Sequence, residues 1–384
     1  MNSNELIFKQ KIASFLETNA NHIFLFWKGR VGLYALLKSM NIKDGDEIIV
    51  PAFTCVVVAN AIKYLQAMPV YVDIHPQHYN AEIEDIKKKI TDKTKVIICQ
   101  NTFGLSVDVE KIAALAKEKN IYSIEDCTHG FGGVYNDKPN GSYCDAAFYS
   151  TQWNKPFSTG IGGFVMTANP FLMDALSAQE KEMITPSWKE NLSLKMQYIA
   201  RDYLMGSHFY WTLLRFYRWL SRKNILQGSS SGMELVGTEM PADFFKKMSK
   251  AQIVKGIKNI DKLPGMMKLR KKNAAIYTTY LQDNGKQYVS ERWQKNHSFL
   301  LYPILVKDRD KVLAAAKKEH LPIGEWFCSP LHPITEDLSR WDMNPQDCPT
   351  ASYISAHIIN LPTNIADCGA FLLFLEDIKV EVLS

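Results

Sequence analysis

A lysine that follows an apolar run and is itself followed by proline marks an unusual strand end. In "DAAFYSTQWNKPF" the apolar run reaches Tyr149, Ser150 offers a hydroxyl, and Lys155 precedes Pro156, which prevents continuation as a helix. A lone loop lysine is ordinarily a solvated surface charge. It becomes a nucleophile when desolvation or a second cation lowers its pKa. One strand earlier, "IYSIED" ends on Glu125 and Asp126. An acidic pair at a strand end is often a plain solvated terminus, but an aspartate there can also hold a heterocyclic nitrogen in its protonated form. "KGRVGLYALL" sets Lys28, Gly29 and Arg30 at a helix start. Unpaired backbone N–H groups and the helix dipole attract anions such as phosphate at such a place. Gly29 admits a close approach and Arg30 adds a charge-assisted contact, although simple capping explains the same residues. An aspartate, a lysine and an anion site at neighbouring strand ends could converge on one small molecule.

The elements needed to position them are legible. From about residue 31 to 167 the chain alternates helical stretches ("VGLYALLKSM", "NAEIEDIKKKI", "DVEKIAALAKEKN") with short β-branched runs ("IIVP", "MPVYVDI", "KVIICQ", "IYSIED"). Such alternation predicts βαβ units around a largely parallel sheet, whose strands present ligands at their carboxyl ends. The strands are continuous apolar runs, as expected when both faces are covered. The stretch at 186–225 is different, dense in aromatics and arginines, and its uncharged part is far shorter than the roughly 20 residues that span a bilayer. Helical packing under a subunit interface, a lid over a pocket, and a monotopic membrane contact through 198–223 all stay open for it, with packing preferred. From about residue 250 a long helical stretch interrupted near Pro264-Gly265, the strand "FLLYPILV" and the short strand "HIINLPT" predict a smaller α+β domain. The predicted division is therefore 1–250 and 251–384.

Composition narrows the class. With 46% hydrophobic and 22% charged residues the chain is an ordinary globular protein, and its net charge of +5 is spread too evenly to suggest nucleic-acid binding. The seven cysteines lack any C-x-x-C spacing, which argues against both a disulfide framework and a zinc site. The N-terminal "MNSNELIFKQKIASF" has no apolar core of a secretory signal, so a reducing cytoplasm is expected.

The order of the motifs carries a resemblance. "GDEIIVPAFTCVVVANAIKYLQAMPVYVDI", "TKVIICQNTFG", "IEDCTHGFGG" and "YCDAAFYSTQWNKPFSTGIGGFVMT" resemble consecutive regions of the DegT/DnrJ/EryC1/StrS family of pyridoxal-phosphate-dependent sugar aminotransferases. The resemblance implies a fold-type I transferase: an α/β protein with a large, mostly parallel seven-stranded sheet domain and a smaller C-terminal α+β domain, working as a homodimer. It implies that Lys155 forms the Schiff base with pyridoxal phosphate and shuttles a proton. It also implies that Asp126 pairs with the pyridinium nitrogen, and that Ser150, Gly29 and Arg30 hold the phosphate. The family makes sugars for surface polysaccharides and glycosylated products. The implied function is therefore transfer of an amino group from glutamate to a keto-sugar, with nucleotide-linked sugars the expected substrates. Transamination of a non-sugar ketone and a cofactor-binding regulatory protein without turnover are the alternatives.

Four positions depart from the family pattern. His129 stands where the family has a glutamine near the ring hydroxyl, and an imidazole there could make the cofactor's electronics depend on pH. Cys55 stands where an aromatic ring covers the cofactor. Lys28-Gly29-Arg30 replaces S-G-T at the phosphate helix. A stretch N-x-R-M-S, which reaches the other subunit's phosphate, is not clear in "GTEMPADFFKKMSKAQ". Trp326, Cys328 and His332 in "GEWFCSPLHP" fall in the region where family members approach substrate, and fit a buried tryptophan and a capping histidine equally well.

Overall fold

Seven strands build the central sheet: β1 (Ile23–Phe26), β2 (Glu47–Pro51), β3 (Met68–Val72), β4 (Thr94–Gln100), β5 (Tyr122–Asp126), β6 (Ala146–Gln152) and β7 (Ile161–Met166). Their spatial order is β1-β7-β6-β5-β4-β2-β3. The computed structural model describes residues 3–204 and 232–384. Strands β2 to β6 pair in parallel, and β7 runs antiparallel to both β6 and β1. Each face meets its own core, which is why the strands are apolar at successive positions. Ile48, Val50 and Ile98 enter one buried cluster, while Ile49, Ile97 and Cys99 enter another on the opposite side.

Helices fill the crossovers as the periodicity predicts. One of them, Gly29–Ser39, is apolar on nearly every side and is buried accordingly. Its first turn lies directly on the sheet because glycine meets glycine. A Cβ on Gly163 would come within 2.3 Å of both the nitrogen and the Cα of Gly29, and a Cβ on Gly29 would meet Ser150 Cβ at 3.1 Å. Gly163→Ala is therefore expected to lift the helix start off strands β6 and β7, lowering stability by about 1–3 kcal/mol. Thermal unfolding checks that loss, and titration with a phosphate-bearing ligand should show weaker binding beside it.

In the C-terminal part, β8 (Leu301–Leu305) and β9 (Ile358–Pro362) pair antiparallel, and a second core joins Tyr277, Tyr302, Ile304, Leu361, Phe371 and Phe374. The break expected near Pro264-Gly265 falls slightly earlier. One helix ends at Ile260 and the next runs Leu263–Asp283 with Pro264 in its first turn, where the missing N–H costs nothing. The chain then returns to the large core. Phe327, Leu331, Trp341 and Ile354 pack with the sheet's hydrophobic residues, and Leu331–His332 pairs in parallel with Thr54–Cys55.

The aromatic and basic stretch falls only partly on described residues, because 205–231 lie outside them. Within it, the helix Trp188–Leu204 buries Leu194 and Tyr198 against Trp27, Ile161 and Ala251, and leaves Trp188, Leu192, Met196 and Ile199 exposed. Among the described residues no helix is long and apolar enough to cross a membrane.

Candidate active site

The carboxyl ends of β5 and β6 deliver Asp126 and, just beyond β6, Lys155. Asp126 is 3% exposed and accepts a hydrogen bond from the Thr128 backbone N–H at 2.9 Å. Burial raises its pKa, while the Thr128 hydrogen bonds and the Lys155 charge pull it back. The half-buried Lys155 has no hydrogen bond or ion pair to its ammonium among the described residues. Instead its Nζ lies 4.5 Å from the centroid of the Trp326 ring. Desolvation pushes its pKa down to about 8, against the opposing pull of Asp126 and Cys55, and Arg30 adds to the lowering. Desolvation, with a second cation nearby, is what makes a lysine nucleophilic at neutral pH, and here it outweighs the opposing pull of the carboxylate.

The helix start at Gly29 stands against Ser150 on β6. Arg30 donates to Glu234 Oε1 at 2.6 Å, and Lys28 Nζ lies 3.5 Å from the other oxygen of the same carboxylate. Two cations therefore face one buried carboxylate, beside the backbone N–H groups of the first helical turn. Lys28 is lowered to about 8, chiefly by burial. Glu234 was not foreseen from sequence. It is 204 positions from Arg30 and no local pattern marks it; a surplus of positive charge at 28–30 was the only hint that a counter-charge had to exist.

His129 is buried, and its Nδ1 accepts the Phe103 backbone N–H at 3.2 Å. A neutral ring so held carries its proton on Nε2. Desolvation, Lys155 and His332 hold its pKa well below the ordinary range, so the imidazole stays neutral at working pH. These surroundings oppose the pH dependence that a histidine at this position suggested. Its ring stacks on Trp326 with centroids 5.0 Å apart and 5° between planes. Cys55 begins the helix Val56–Lys63 and stands opposite His332 in the short parallel pair. Cys328 donates its backbone N–H to His332 Nδ1 at 3.3 Å. All seven predicted positions (Lys155, Asp126, His129, Ser150, Gly29, Arg30 and Cys55) therefore gather at one edge of the sheet.

A phosphorylated pyridine aldehyde fits these residues. The Lys155 amine suits the carbonyl, the Asp126 carboxylate suits a protonated ring nitrogen, and the backbone N–H groups of the helix start at Gly29, packed closely against Ser150 and Gly163, suit a phosphate.

Such a fold, with a lysine and an aspartate at adjacent strand ends, is that of aminotransferases. It is similar to the putative sugar aminotransferase Spr1654 from Streptococcus pneumoniae in its PMP form, with a TM-score of 0.76 and 17% identity over 99% of this chain and 92% of that one. The chain belongs to the DegT/DnrJ/EryC1/StrS aminotransferase family, whose profile matches residues 2–203 and 221–366. Among curated relatives, it is 41% identical to the GDP-perosamine synthase of Escherichia coli O157:H7 over 146 residues, 38% of this chain and 40% of that protein. It is 34% identical to the dTDP-3-amino-3,6-dideoxy-alpha-D-galactopyranose transaminase of Aneurinibacillus thermoaerophilus over 162 residues, 42% of this chain and 44% of that protein. The matched stretch is thus less than half the length of either relative.

Proposed function

We propose that this protein is a pyridoxal-phosphate-dependent aminotransferase that moves an amino group from glutamate to a nucleotide-linked keto-sugar. The observation that carries this reading is the desolvated, otherwise unpaired Lys155 ammonium at the same sheet edge as buried Asp126, next to the Gly29 helix start. When bound, the cofactor supplies an electron sink for the negative charge left when a proton leaves the amino-bearing carbon.

The chain's own residues divide the remaining work. Asp126, buried and fixed by Thr128, presents a negative charge that favours a protonated ring nitrogen. Lys155, neutral in part at neutral pH, accepts the proton from the amino-bearing carbon and returns it one position away. The helix start at Gly29, with Arg30, Lys28 and the Ser150 hydroxyl, anchors the phosphate, which leaves the reacting end free to be oriented by Lys155. His129, fixed as the Nε2–H tautomer by the Phe103 hydrogen bond, stacks behind the Trp326 ring and holds it beside Lys155. The names of the relatives support the sugar-nucleotide part of the reading, since one is a transaminase of a dTDP-linked amino sugar. A homodimer in the cytoplasm belongs to the same reading. Seven free cysteines and the exposed apolar side chains of the Trp188–Leu204 helix agree with it.

Adding glutamate to the cofactor-loaded protein should bleach its visible absorbance and release 2-oxoglutarate, and a nucleotide-linked keto-sugar should then restore the band. Bleaching by no amino donor favours a regulatory cofactor-binding protein instead. A pH dependence follows as well. Capture of the aldehyde needs the neutral amine, so its rate should rise tenfold per pH unit below about 8 and level off above it. At pH 7 this gives about 300-fold more free amine than a solvated lysine would hold. Stopped-flow measurement of cofactor uptake by the apoprotein across pH 6–10 reads the midpoint directly.

A further inference from the structure

We infer that Trp326, carried on a loop of the C-terminal part, is the aromatic side chain that covers the cofactor ring, and that the small side chain of Cys55 leaves it the space to do so. This rests on the cofactor reading above.

A flat ring joined to Lys155 and reaching toward Asp126 has two faces to shield from water. Position 55, at the N-terminus of the Val56–Lys63 helix, offers only a thiol, which covers much less area than a ring. The indole of Trp326 supplies that area. Its centroid is 4.5 Å from Lys155 Nζ, so a ring attached to that nitrogen through one carbon begins alongside it. Its plane is within 5° of the His129 ring at 5.0 Å. Two rings that close leave no room for a third between them, so the cofactor ring packs on the indole face turned away from His129.

The loop is built to hold the indole there. On one side, Gly324 exchanges both backbone hydrogen bonds with Asn360 of β9, at 2.8 and 3.1 Å. On the other, Leu331–His332 pairs with Thr54–Cys55, tying the loop to the residue whose bulk it replaces. Between these clamps Arg309 donates to the Glu325 carbonyl at 3.0 Å, and the His332 ring meets the indole edge-on at 6.4 Å. The neighbouring Phe327 is buried in the large core, so the backbone at 326 cannot swing freely. Trp326 itself is half-buried, and its replacement does not empty the core.

The test is titration of pyridoxal phosphate into the apoproteins of wild type, Trp326→Leu, Trp326→Phe and the Cys55→Phe/Trp326→Leu double variant. Affinity is read by absorbance and ring packing by the circular dichroism of the cofactor band. Loss of one aromatic stack should weaken binding by about 2- to 10-fold in Trp326→Leu and diminish the induced dichroism. Trp326→Phe should bind close to wild type. Cys55→Phe should restore both signals in the Trp326→Leu background, a recovery that a merely structural role for Trp326 would not produce. Wild-type affinity and dichroism in Trp326→Leu overturn the inference and leave the cofactor reading standing. Failure of Cys55→Phe to restore them, in a protein with native far-ultraviolet dichroism, overturns the exchange between the two positions. Failure of the wild type itself to take up the cofactor overturns both.

Discussion

Replacing Lys155 with methionine is expected to abolish turnover, reducing it by about 10⁴-fold, because it removes the side chain that both binds the aldehyde and carries the proton. Borohydride should then fix no cofactor to the chain, which mass spectrometry reads without any substrate. The same variant makes an independent physical prediction for the apoprotein. Lys155 has a folded-state pKa of about 8, below its unfolded value, so the unfolded chain binds more protons between the two. Its desolvation cost is fully present below pH 8 and fades as pH rises toward 10.5. Lys155→Met should therefore stabilise the apoprotein by up to about 3 kcal/mol at pH 7, with the gap closing above about pH 10. Denaturant unfolding of both proteins across that range decides the matter. Equal stability at pH 7 would mean that the ammonium is better solvated than its setting implies.

Asp126→Asn should lower turnover by on the order of 10² to 10³-fold, since it removes a preorganised charge while keeping the side chain's shape. The amide oxygen introduced by that substitution would still accept the Thr128 N–H, so the site should keep its form, and the loss should appear in kcat more than in KM. Asp126 is also the largest influence holding the Lys155 pKa up. Without it, the midpoint for cofactor capture should move below 8, an opposite sign from the effect on turnover. A variant that captures the cofactor at lower pH yet turns over slowly would separate the two roles. An unchanged midpoint would show that the two groups do not sense each other.

Much of this site was legible because it lies at strand ends. Asp126 closes an apolar run, and Ser150 and Lys155 close the next, so the βαβ pattern alone brings them to one edge. The helix start at 28–30 was legible for the same reason, as local chemistry at a predictable boundary. Residues that enter from afar were not. Glu234 reaches Arg30 across 204 positions. The Phe103 N–H that settles the His129 tautomer comes from a turn between β4 and the next helix, with nothing in its sequence to announce it. The helix break expected near Pro264 is present but lies a few residues earlier, because this proline sits in the first turn of the second helix and does not end the first.

The sequence by itself determined the alternation of strands and helices and the family. It also determined which residue types stand at the strand ends, since these depend on periodicity and on neighbours a few positions apart. Tertiary structure alone decided the state of those residues. How far Lys155 is stripped of water, how strongly burial lowers the His129 pKa, and that the Trp326 ring lies against Lys155 all depend on groups distant in the chain. Desolvation and ring contact are set by what packs in from every side, and a linear pattern records only the residues along one of them.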